Sequence, residues 1–168
     1  MNADELRALQ APLKETYRNH PGAALVTLRA QARPGEGISC RVQTGRALVE
    51  AGLHPASGGT GELACSGDLL LEALAACAGV TLQAVSTALG LPLAGGTVRA
   101  EGELDFRGTL GVDKDAVVCF RSIRLEFELE GSLTAEQLAS LRRLTERYCV
   151  VYQTLAKGVP VRVGFRVS

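Results

Sequence analysis

The chain has 168 residues, 46% of them hydrophobic, with 18 basic and 18 acidic side chains and no formal net charge. That balance removes the electrostatic case for a nucleic acid or an anionic membrane as partner, and the length suits a single domain, 1–168, with a proper core. Five scattered cysteines without CxxC spacing, two isolated histidines and the N-terminus MNADELRAL exclude a secreted disulfide framework, leave a zinc site little to build on, and point to the cytoplasm.

Residues 3 to 19 predict an amphipathic helix in an N-terminal segment, 1–20. Leu6, Leu9, Leu13 and Tyr17 fall on one face, and His20-Pro21-Gly22 ends it. From Ala24 the period changes to two: Ala24, Val26, Leu28 and Ala30 alternate with polar or outward positions. RPGEG, Arg33 to Gly37, reads as a turn, and Ile38, Cys40 and Val42 complete a hairpin. A third short strand is expected around Ala47 to Glu50, and Gly52 to Cys65 reads as a loop.

The segment 66–90, SGDLLLEALAACAGVTLQAVSTALG, predicts a long helix. Ser66 is placed to cap it, Asp68 suits the positive end of its dipole, and Gly90 followed by Pro92 stops it. Glu72 is the only charge between Leu69 and Leu82, so the helix lacks a polar face and should be buried on all sides. A membrane span competes with that reading, but Glu72, Thr81, Gln83, Ser86 and Thr87 oppose it.

Two clean amphipathic strands follow. Val98, Ala100, Gly102, Leu104 and Phe106 alternate with charged residues, and so do Ile123, Leu125, Phe127 and Leu129. Arg99, Glu101, Glu103, Glu126 and Glu128 on the wet faces can pair across the strands. Thr134 with Gln137 forms a capping-box pattern opening a helical segment, 134–157, that bends near Cys149 and stops at Gly158 and Pro160. Val161, Val163, Phe165 and Val167 then alternate as a last strand. The class is α+β. One sheet can cover only one side of a helix that is apolar all round, which predicts a homodimer whose second copy covers the rest.

The sequence holds no phosphate loop, serine nucleophile elbow or paired-histidine motif, and no metal or organic cofactor is expected. Chemistry, if present, is thiol chemistry. Cys40 and Cys119 lie in strand contexts. Cys65 precedes a helix start, where free amides lower a thiol pKa. Cys77 lies too deep in its own helix to use that helix's dipole, so a reactive thiolate there needs a cation from elsewhere.

The helix SGDLLLEALAACAG, the alternating strands and the second helical segment with RYCVVYQTL resemble the OsmC/Ohr family (osmotically inducible protein C and organic hydroperoxide resistance proteins) from about Ala24 to Val167. The resemblance implies an intertwined α+β homodimer with antiparallel sheets wrapped around long central helices. It also implies a thiol-dependent peroxidase: Cys77 attacks an organic hydroperoxide, Cys149 resolves the sulfenic acid, and a dithiol such as a lipoyl protein restores both. The family activates its Cys with an Arg from an early strand, here Arg41 or Arg46 with Arg29 a further candidate, and a Glu from before the helix. The Glu position is Gly67 here. Glu62 in the loop and Asp68 are the substitutes, although nine residues at about 100° each put Asp68 on the far side of an unbroken helix from Cys77. The family's Pro after the second Cys is Val150, a change expected to loosen the helix start without touching the chemistry. The competing function is a non-catalytic dimer that binds a small lipophilic molecule in a cleft near Cys77.

Overall fold

The computed structural model describes residues 2–20, 31–34, 39–43, 48–111 and 113–167. Helix α1, Ala3–Asn19, covers the expected range; the Asn2 side chain accepts from the Glu5 N–H at 2.9 Å and the Glu5 carboxylate accepts from the Asn2 N–H at 2.9 Å. Strands β1 (Gln31–Pro34), β2 (Ser39–Gln43) and β3 (Leu48–Gly52) form an antiparallel meander with Arg33 opposite Arg41 and Arg41 opposite Glu50. The strand expected over Ala24 to Ala30 lies outside the described residues. The expected turn is entered later than its composition suggests, because Arg33 and Pro34 still belong to β1.

The segment read as a loop is more ordered than that. A 3₁₀ turn at Pro55–Ser57 leads to β4, Ala64–Cys65, which pairs in parallel with β3 and closes the order β1-β2-β3-β4. Two residues give no alternation to read, so β4 escapes a periodicity argument. It runs directly into α2, Ser66–Leu89, whose N-cap is Cys65 rather than Ser66. Gly90 ends α2 at φ 62°, donating to Ser86 and Thr87 carbonyls from the left-handed region that glycine alone enters cheaply.

β5, Leu93–Leu104, and β6, Phe120–Gly131, form an antiparallel ribbon with Arg99 opposite Glu126 and Glu101 opposite Arg124. Its wet face carries cross-strand ion pairs, Arg99 to Glu128 at 2.7 Å and Arg124 to Glu101 at 2.6 Å. β5 stops two residues before the alternation does. Asp105 accepts from the Arg107 N–H at 3.1 Å and turns Phe106–Thr109 into a short helix, α3. Thr134 and Gln137 make the expected reciprocal cap of α4, Ala135–Tyr148, and α5, Val150–Lys157, follows after the single residue Cys149.

α2 packs on β5, α4 and α5, and Leu82, Val85 and Leu141 centre the core against Phe127 and Leu129. By length and composition α2 could cross a membrane, and only 28% of its most apolar window is buried within one chain. Val80 is 71% exposed. Burial on all sides is therefore not reached by the isolated chain, although β5, α1, α4 and α5 all pack against α2. The final alternating stretch is likewise no strand: residues 159–167 pair with neither sheet, and Phe165 is 94% exposed. A strand needs a ladder partner, which alternation alone does not supply.

Candidate functional site: a thiol pair at the start of a helix

Cys77 is half-buried on α2, one turn before Thr81, whose hydroxyl donates to the Cys77 carbonyl at 2.8 Å. Cys149 is 1% exposed and joins α4 to α5. Its backbone (φ −73°, ψ 106°) leaves the helical region for one residue, which breaks the hydrogen-bond ladder and frees the first amides of α5. Those amides face the two sulfurs.

Burial pushes the Cys77 thiol up. The Val151 N–H, the Cys149 thiol and the Val150 N–H more than offset it, so Cys77 ionises below the ordinary thiol range. Burial also pushes Cys149 up; the Tyr152 and Val151 N–H groups pull against this, but the Cys77 sulfur beside it adds to the rise, and Cys149 stays above that range. Two thiols that influence each other are thus driven apart in acidity, one towards thiolate and one towards proton donor.

A helix dipole contributes to the acidity of Cys77. Cys77 cannot use the N-terminus of its own helix, but it lies at the N-terminus of α5. The departure at Val150 also has a chemical consequence, contrary to expectation: a proline there would have no N–H, and the Val150 N–H is one of the donors to Cys77.

The two carboxylate candidates are not gathered here. Asp68 is exposed in the first turn of an unbroken α2, on the side away from Cys77. Glu62 is exposed in the loop, where its N–H donates to the Thr60 hydroxyl at 3.3 Å. A Cβ added at Gly67 would meet Phe120 at 3.4 Å, Cys65 at 3.6 Å and Leu104 at 3.6 Å, largely apolar surroundings unsuited to a carboxylate. Arg41 has its backbone in the middle of β2, and Arg46 and Arg29 lie outside the described residues. Cys119 is exposed before β6 and Cys65 is partly buried. Among the described residues no group of three or more His, Cys, Asp or Glu could hold a metal.

Beside Cys149 opens a cavity of about 400 Å³ between α2, β6 and α4. Ala78, Leu82, Leu125, Phe127 and Leu141 form its apolar wall, and Thr145, Arg142, Glu146 and Tyr152 add polar atoms. Sequence reasoning missed Thr81, Thr145 and the α5 amides. The bend expected at Cys149 was the available signal for the amides, since any helix restart exposes them.

A family model described as OsmC-like protein matches residues 59–164. The chain belongs to the OsmC-like protein family. Solved structures of the OsmC-like fold agree with this architecture. An OsmC-like protein from Mycoplasma pneumoniae superposes with a TM-score of 0.67 at 18% identity, over 80% of this chain and 89% of that one. An organic hydroperoxide resistance protein OsmC from Legionella pneumophila gives 0.61 at 18%, over 79% and 90%. The organic hydroperoxide resistance protein OhrB of Bacillus subtilis gives 0.57 at 20%, over 80% and 93%. No curated protein matches the sequence. At these identities the OsmC-like neighbours establish the fold and leave the chemistry to this chain's own residues.

Proposed function

We propose that this OsmC-like protein is a thiol-dependent peroxidase that reduces organic hydroperoxides, with Cys77 as the attacking residue and Cys149 as the resolving one. The observation that carries the reading is that the two thiols act on each other at the start of α5, with Cys77 pulled below and Cys149 pushed above ordinary thiol acidity. The Cys77 thiolate attacks one peroxide oxygen; the O–O bond breaks, an S–O bond forms, and the leaving alkoxide takes a proton to become the alcohol. The Cys149 thiol then attacks the sulfenic sulfur, releasing water and closing a disulfide. An external dithiol, a lipoyl protein or similar, reduces that disulfide and is itself oxidised.

The working unit in this proposal is a cytoplasmic homodimer. The apolar side of α2 left open by one chain and the unpaired 159–167 arm both support a second copy as their cover. One of Arg41, Arg46 and Arg29 adds a guanidinium from the early strands. A second reading, a non-catalytic carrier of a small lipophilic molecule, is favoured by the apolar cavity beside Cys149.

Steady-state and single-turnover kinetics separate the two. Cys77→Ser should consume no hydroperoxide, whereas Cys149→Ser should complete one turnover and stall as sulfenic acid on Cys77, open to overoxidation. Equal, small effects in both variants would leave the carrier.

A further inference from the structure

A continuous α-helix gives each carbonyl to the N–H four residues further on. α4 keeps that order as far as the Thr145 carbonyl, which accepts from the Cys149 N–H at 3.0 Å. α5 resumes it where the Cys149 carbonyl accepts from the Gln153 N–H at 2.9 Å. Between them lies the rung from Glu146 to Val150. Closed, it would tie the Val150 N–H to the Glu146 carbonyl; here the extended backbone of Cys149 opens it and the Val150 N–H bonds Cys77. The Glu146 carbonyl is not left orphaned. The Gln153 side chain reaches back seven residues and donates to it from Nε2 at 2.7 Å, in a part-buried bond.

The chemistry of that bond is unambiguous. A carbonyl oxygen only accepts, so the nitrogen and not the oxygen of the Gln153 amide faces it. The common way to end a helix, a glycine in the left-handed region, is not used at this break: Cys149 sits at φ −73°, ψ 106°. A part-buried carbonyl stripped of its donor is costly, and the N–H that would relieve it along the chain is that of Val150. The Glu146 carbonyl and Cys77 therefore compete for one amide, and the Gln153 side chain removes the first competitor.

We propose that Gln153 is a positioning residue: its side-chain amide occupies the Glu146 carbonyl, holds the rung open and so leaves the Val150 N–H to Cys77. Gln153 acts through Val150 and touches no substrate. The inference rests on the peroxidase reading only for what the acidity of Cys77 is used for; the competition for the amide holds in a carrier as well.

The test follows iodoacetamide alkylation of Cys77 by peptide mass in the reduced full-length protein, from about pH 5 to about pH 10, across the thiol range. Gln153→Met and Gln153→Leu remove the donor while keeping good helix formers in α5. Both should slow alkylation at neutral pH about three- to tenfold, up to the rate equivalent of one lost hydrogen bond, and move its rise to higher pH. In a Val150→Pro background there is no N–H for the Glu146 carbonyl to reclaim, so adding Gln153→Met should change the rate less than about twofold. A merely structural role for Gln153 would lower the melting temperature in both backgrounds and leave the pH profile in place. Rates within about twofold of wild type in both single variants overturn the proposal, and so does a slowing of equal size in the Val150→Pro background. Alkylation needs no peroxide, which separates the two readings. The predicted response without hydroperoxide consumption upholds Gln153 and rejects the peroxidase; Cys77-dependent consumption with alkylation indifferent to Gln153 does the reverse.

Discussion

At the residue scale the decisive feature is that Cys77 takes its acidity from a helix other than its own. The Val150 and Val151 amides are donors only because Cys149 interrupts the ladder between α4 and α5. Val150→Pro tests this cleanly. Proline is well tolerated at the first position of a helix, so the fold should survive while one donor to Cys77 disappears. Alkylation of Cys77 at neutral pH should slow on the order of tenfold, the rate equivalent of one charge-assisted hydrogen bond of about 1.5 kcal/mol. The sign of the pH dependence is fixed by the same contacts. In wild type, Cys77 should gain alkylation rate as pH rises through a value below that of a free thiol, and in Val150→Pro that rise should move to higher pH. An unchanged profile would mean that the amides do not hold the thiolate.

At the element scale, α2 and α4 pack through Leu82, Val85 and Leu141, and Leu141 is 1% exposed. Leu141→Ala should cost about 2–5 kcal/mol by denaturant unfolding, because the backbone of two packed helices cannot collapse fully into the space. A loss under about 1 kcal/mol would show that the site relaxes. Much at this scale could be read from the chain. Alternation located the β5–β6 ribbon and its ion pairs, and the Thr134–Gln137 spacing located the start of α4. The pairing of Cys77 with Cys149 came from resemblance, since residues on two separate helices leave no local signal of contact. β4 was too short to have a period. α3 was hidden because Phe106 fits the strand pattern, while the turn is made by Asp105, whose carboxyl the Arg107 side chain holds down to about 2. The donors to Cys77 are backbone groups, and backbone carries no sequence label.

At the scale of the whole molecule, the isolated chain leaves unfinished work: an apolar helix with Val80 in solvent and an alternating C-terminal arm without a sheet. Wild type should sediment as a dimer at micromolar concentration. Val80→Asp should give a folded monomer, since Val80 makes little of its packing within one chain and a charge there would be buried only in the assembly. A wild-type monomer would contradict the assembly proposed here. The central claim is the thiol pair, and peptide mass mapping after one equivalent of an organic hydroperoxide tests it most directly. The predicted product is a Cys77–Cys149 disulfide, with the exposed Cys119 left reduced. Oxidation that falls first on Cys119, or that never links Cys77 to Cys149, would contradict it.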